Sequence, residues 1–279
     1  MQSRSRLVLV SALLTGLAVP LLVLQAQDRE GPPPPKNRVT APAEPVTPLP
    51  LPEGAPEALR KLVEDLAKEG ATVDFEKKVV EVRGAILLDR MNTSYPIEYL
   101  IVNESGFTHE SLGIVRVTPS KLNAAFLAMG LSPGQTVQFK KREPLPPVEK
   151  LITGEEREFD FIAPKGHLVD ISLRWKDDQG EHLHPIEDMV RYLTNGASLP
   201  RRGFVYIGSR FTKMIIDGER VERYIADVEG NLVALYLGGF GNCLFDMNSD
   251  EGVEPYLYDV NTALVPPPGT VVTFVFSVR

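Results

Sequence analysis

Thr108-His109-Glu110-Ser111 places an imidazole, a carboxylate and a hydroxyl at consecutive positions after an apolar run. These are the groups of acid–base and nucleophilic chemistry: histidine titrates near neutral pH, and a nearby carboxylate can orient it. Ser111 would then serve as nucleophile or as a further orienting group. Neighbours in an extended chain point to opposite faces, so His109 and Glu110 converge only if the backbone bends there. Without a bend they are ordinary hydrogen-bonding side chains.

Three other groupings carry weaker chemistry. His182 and His184 are two apart, so on a strand they share a face and would bind a metal together with Glu187 or Asp188; no third histidine is near. Asp246, Asn248, Asp250 and Glu254 set oxygen ligands at alternating positions, as a Ca2+ loop requires. The glycine of that loop, Gly252, comes one residue late for a helix-loop-helix calcium site, and Leu257 stands where a bidentate acid belongs. An acidic solvated loop with no cofactor is the reading here, and Ca2+ is the alternative. Cys243, the sole cysteine, lies among apolar neighbours that would leave its thiol inert. The specific signatures of P-loops, zinc proteases, serine hydrolases, β-lactam-type serines and dithiol redox sites are all absent. Asn92-Thr-Ser94 and Asn103-Glu-Ser105 fit the short glycosylation triplet.

The elements that must position these residues begin after a leader. Arg4 and Arg6 precede the uncharged stretch Leu7 to Leu24, and Ala26 offers a cleavage point, so residues 1–26 read as a signal peptide or an uncleaved anchor. Either places the rest outside the cytoplasm, in the periplasm or cell envelope. Residues 27–56 are polar and proline-rich and read as a disordered, partly polyproline II spacer. Residues 57–279 then form the folded domain. Without the leader, 28 basic residues face 37 acidic ones. That balance disfavours nucleic acid and anionic lipid as partners and leaves an unidentified protein or small ligand. The membrane would be touched only through residues 7–24.

In the domain, Leu59, Leu62, Val63 and Leu66 repeat at helical spacing up to Gly70. Thr118 to Met129 reads as a second helix, with Thr118 as cap, Pro119 in the first turn and Leu122, Ala125, Phe126 and Met129 on its buried stripe. Strand alternation is clear at Val80 to Ile86, at Val169 to Trp175 and at Val272 to Val278, and shorter strands are expected at Ile97 to Val102, Phe204 to Ile207, Tyr224 to Asp227 and Leu232 to Leu237. Two main helices among many strands predict an α+β fold with a mainly antiparallel sheet.

Thr108-His-Glu-Ser111, the helix Thr118-Pro-Ser-Lys-Leu-Asn-Ala-Ala-Phe-Leu-Ala-Met129, Pro133-Gly134, Phe204-Val-Tyr-Ile-Gly-Ser209, Gly230-Asn231 and Pro268-Gly-Thr-Val-Val272 follow one another in an order that resembles YdjY-domain proteins, especially exported ones of planctomycete-type bacteria. The acidic loop Asp246 to Glu254 departs from that pattern. The resemblance implies an extracytoplasmic domain, draws attention to Thr108 to Ser111 and supplies no reaction. The expectation is a non-catalytic extracytoplasmic binding or interaction module. The alternative is a hydrolase- or metal-dependent enzyme centred on His109, Glu110 and Ser111.

Overall fold

A computed structural model describes residues 39–87, 96–216, 218–239, 241–254 and 256–279. The leader at 1–26 and the triplet at Asn92 lie outside the described residues. Among the described residues four α-helices are present: α1 (Glu57–Lys68), α2 (Pro119–Ala128), α3 (Val148–Thr153) and α4 (Ile225–Glu229). The strands are β1 (Ala71–Asp74), β2 (Val79–Ile86), β3 (Tyr99–Val102), β4 (Ser111–Val115), β5 (Gln138–Lys141), β6 (Phe159–Ile162), β7 (Leu168–Asp177) and β8 (Gly180–Pro185). After them come β9 (Val190–Tyr192), β10 (Phe204–Tyr206), β11 (Phe211–Ile216), β12 (Glu219–Tyr224), β13 (Asn231–Ala234), β14 (Phe245–Met247), β15 (Tyr258–Val260) and β16 (Val271–Val278).

The class differs from the α+β expectation: the chain is mostly β, and its main sheet closes on itself. The order β2-β16-β7-β10-β14-β13-β3-β4 returns to β2, because β2 pairs with β16 along one edge and with β4 along the other. This makes an eight-stranded barrel with β1 and β8 as additional strands on β2 and β7. Closure removes the open edges that a flat sheet would present to other chains. Two ladders, β3–β4 and β13–β14, are parallel, and the other pairings of the ring are antiparallel. The helices at 57 and 119 exist as read, but they are short and cover a barrel instead of layering on a sheet.

Aromatic packing fills the core. Phe126 of α2 meets Phe245 and Phe276 edge-on at 5.0 and 6.0 Å and Tyr206 at 5.7 Å. Phe274 lies over two glycines in neighbouring strands: a Cβ at Gly84 would stand 2.7 Å from the ring and one at Gly113 2.4 Å from it. Glycine in a strand interior is unfavourable by itself, and here it makes room for a ring. Such rings bury large apolar area and are the main stabilising content of the barrel.

The N-terminus of α2 is capped from other elements, not by Thr118. Glu69, just past α1, accepts hydrogen bonds from the Thr118 N–H at 2.7 Å and hydroxyl at 3.0 Å, and Asp227 of α4 accepts the Ser120 N–H at 2.7 Å. Two carboxylates thus neutralise the positive end of the helix and tie three helices together. The segment Tyr224 to Asp227, read as strand, ends β12 and begins α4. Residues 39–56 hold no helix or strand, yet Ala41 is buried and Val46 donates its N–H to the Ala67 carbonyl at 2.9 Å.

Candidate functional site

The His-Glu-Ser segment sits between the parallel strands β3 and β4. After β3, Asn103 folds the chain back: its Oδ1 accepts the Ser105 N–H at 2.9 Å and its carbonyl accepts the Gly106 N–H at 3.0 Å. A single 3-10 turn, Thr108–Glu110, follows and delivers Ser111 into β4. This turn supplies the bend that an extended chain lacks. His109 Nε2 lies 2.9 Å from Glu110 Oε1, with the imidazole 38% exposed and the carboxylate 19% exposed.

Ser111 goes the other way. It is fully buried, and its hydroxyl donates to the Phe107 carbonyl at 2.6 Å. A nucleophile needs its base within hydrogen-bond reach and a space in which a substrate atom can sit beside it. The hydroxyl of Ser111 instead closes the turn from within.

Two residues that sequence reasoning did not single out for chemistry hold the segment. Asn231, the first residue of β13, accepts the Phe107 N–H with Oδ1 at 3.1 Å, and the Gly230 carbonyl accepts the Asn103 N–H at 2.7 Å. Gly230 must be glycine: its φ is +71°, and a Cβ there would fall 2.1 Å from Asn103 Oδ1 and 2.5 Å from the Gly106 nitrogen. Asn231 of the Gly230-Asn231 pair stands 124 residues from Phe107 in the sequence, and the barrel brings the pair against the turn that leads into the His-Glu-Ser segment. Asn231 is fully buried, and its Nδ2 finds no partner among the described residues. Tyr99 and Phe107 stack at 5.7 Å beside this turn, and Phe107 meets the His109 ring edge-on at 6.2 Å. Burial holds the Tyr99 hydroxyl well above its usual range, with Cys243, Glu98 and Glu229 opposing its ionisation further.

The acidic residues from 246 to 254 do not converge. Asp246 lies in β14 and is buried, with Thr136 donating to its Oδ2 at 2.6 Å. Burial pushes its carboxyl up to about 7, against a partial pull downward from that hydroxyl. Asn248 donates to the Arg202 carbonyl at 3.3 Å, Glu254 pairs with Arg157 at 2.7 Å, and Asp250 faces solvent. Cys243 is buried as well; desolvation raises its thiol, and Asp246 and Glu229 add to the rise. His182 and His184 share a face of β8, where both stack on Trp175 at 4.8 and 5.4 Å, and His182 Nε2 pairs with Asp177 at 2.8 Å. Their suggested co-ligands are engaged elsewhere: Glu187 accepts the Gly203 N–H at 3.0 Å, and Asp188 pairs with Arg201 at 2.7 Å. Among the described residues no group of three His, Cys, Asp or Glu side chains is arranged to hold a metal ion.

Three concave places touch some of these residues: Glu187 and Asn248 line the first and Glu254 the second. A cavity of about 10 Å³, room for one water at most, is lined by residues including Glu187, Arg202 and Ser249. Two open depressions lie along Leu151 to Phe161 and along Lys140 to Asp160. His109, Glu110 and Ser111 line none of the three.

Fold and site together define a closed β-barrel domain with a filled aromatic core, in which a His-Glu-Ser turn is stapled to a Gly-Asn corner. The family model of the YdjY domain matches residues 71–277, and the chain belongs to that family. No curated protein and no solved structure matches the chain.

Proposed function

We propose that this protein is an exported, non-catalytic binding or interaction module. The observation that carries the reading is the closed bonding of Thr108 to Ser111: the imidazole pairs with its own neighbour, and the buried hydroxyl bonds the preceding turn. Small-molecule enzymes convert substrates in concave sites with convergent polar groups, and here Ser111 enters a strand that is buried along its whole length, turned away from the His109–Glu110 pair. The excess of acid over base supports a protein or small-ligand partner over nucleic acid. Among the described residues no helix is long and apolar enough to cross a membrane. The leader with Arg4 and Arg6 supports export, with Leu7 to Leu24 as the only membrane contact if it is retained.

Labelling of the native protein with a fluorophosphonate tests the non-catalytic reading. Ser111 should stay unmodified, because its hydroxyl is buried and bonded; modification of Ser111 that is abolished by His109→Ala would restore the enzyme reading. The intact mass of the protein recovered from a secreting host tests export, with loss of residues 1–26 expected on cleavage.

A further inference from the structure

β11 and β12 form a two-stranded sheet of their own, paired with no strand of the barrel. Phe211 is 66% exposed and Ile215 74% exposed on this hairpin. An isolated ribbon has two open edges and is marginal by itself, so exposed apolar residues on one mark a place where another chain adds.

The Ile216/Glu219 pair closes the hairpin. Hydrogen-bonded pairs alternate from that closing pair, so Glu219, Val221 and Arg223 bond inward to β11. Arg220 and Glu222 therefore turn their N–H and C=O groups to the open edge. Along that edge the sequence is Glu219-Arg220-Val221-Glu222-Arg223, in which each charge has its opposite at the same distance on the other side of Val221. Among the described residues none of these four charged side chains has an ion pair within the chain.

We propose that the β12 edge pairs antiparallel with the same edge of a second copy of this chain, with the two-fold axis through Val221. In this register Arg220 faces the partner's Glu222, Glu219 faces the partner's Arg223, and both pairs recur across the axis. Backbone parity agrees, since the outward groups of Arg220 meet those of the partner's Glu222. The adjacent registers fail: centring on Glu222 or on Arg220 sets that residue against its own charge, and a half-step sets outward residues against inward ones. The β11 edge offers no equivalent, because Lys213 is its only charge and Phe211–Ile216 contains no acid. The result is a four-stranded sheet bridging two barrels, with Phe211 and Ile215 of each copy on the face that carries Arg220 and Glu222.

Sedimentation equilibrium of the full chain over the micromolar range tests this. Arg223→Glu places an acid opposite the partner's Glu219 at two symmetric positions and should weaken the dimer by about tenfold or more. In the hairpin Arg223 and Glu219 lie opposite the uncharged Thr212 and Ile216, so the reversal leaves the single chain's own pairing alone. The double exchange Glu219→Arg with Arg223→Glu should restore association. A wild-type chain that stays monomeric, a dimer indifferent to Arg223→Glu, or a double variant as weak as the single one would each overturn the proposal. Disulfide trapping decides independently of any change in hairpin stability. Val221→Cys should cross-link on mild oxidation, because a non-hydrogen-bonded pair on the axis brings Cα atoms within disulfide range. Glu219→Cys, displaced from its own copy by about 14 Å, should not. Equal cross-linking of both, or of neither, contradicts the register.

Discussion

The turn at His109 and the hairpin at Val221 both set charged side chains beside an exposed aromatic ring, Phe107 in one and Phe211 in the other. In the turn the polar groups are consumed within the chain: Glu110 by His109, the Ser111 hydroxyl by Phe107, and the Phe107 amide by Asn231. In the hairpin, among the described residues, four charges and the outward backbone groups of one edge have no such partners. The contrast separates a motif that holds the fold from a surface that can hold another molecule. A eye-catching run of residue types marks the first, and a charge pattern with a two-fold axis marks the second.

Several substitutions would break or sharpen that contrast, beginning with the largest effect. Gly230→Ala forces a side chain into left-handed backbone against Asn103 and Gly106, and should cost roughly 3 kcal/mol or more. A thermal melt should then shift down by about 10 °C, and a shift near zero would mean that the Gly-Asn corner does not hold the turn.

Asp246 gives the next largest change, and its sign is specific. Its carboxyl lies at about 7 in the folded chain against an ordinary 3.8, so the folded state binds this proton more tightly than the unfolded one. The associated stability is full below about pH 4 and is lost as pH rises through 7, amounting to a few kcal/mol. Asp246→Asn should flatten that slope in urea melts between pH 4 and 8 and should raise stability at the upper end. A slope that survives the substitution would assign the effect to another group.

Smaller effects follow at the motif itself. Ser111→Ala removes one buried hydrogen bond and should cost about 1 kcal/mol. His109→Ala removes a partly exposed contact between imidazole and carboxylate and should stay within about 1 kcal/mol in melts at neutral pH. A loss several times larger would show that His109 does more than pair with Glu110. Arg223→Glu should lie within about 0.5 kcal/mol for the single chain, since among the described residues no side chain pairs with that charge.

Local pattern made much of the body legible. The alternation at Val169 to Trp175 and Val272 to Val278 marks β7 and β16, and the stripe of Leu122, Ala125 and Phe126 is the buried face of α2. Barrel closure was not legible, because it depends on β2 finding β4 across some thirty residues, and period-two alternation names no partner. Gly84 and Gly113 were a usable cue, since glycine inside a strand marks close approach. The Asp217-Gly218 dipeptide between alternating residues was an equally available signal for the β11–β12 hairpin.

At the candidate site the residues were legible and their roles were not. Whether Ser111 faces outward or inward is decided by the strand it enters, and β4 is covered on both sides. Asn231 lies 124 residues from Phe107, so only the fold could reveal that one holds the other. Asp246 belongs by composition to an acidic loop and by position to a core strand, and burial overrides the composition.

Hydrogen exchange measured by NMR on the full chain at two protein concentrations tests the central contrast most directly. The Phe107 and Asn103 amides, bonded to Asn231 and Gly230, should be protected to the same degree at both concentrations. The Arg220 and Glu222 amides should exchange rapidly in dilute protein and slow down as the concentration rises. Concentration-independent exchange at Arg220 and Glu222, or unprotected amides at Phe107 and Asn103, would contradict the account.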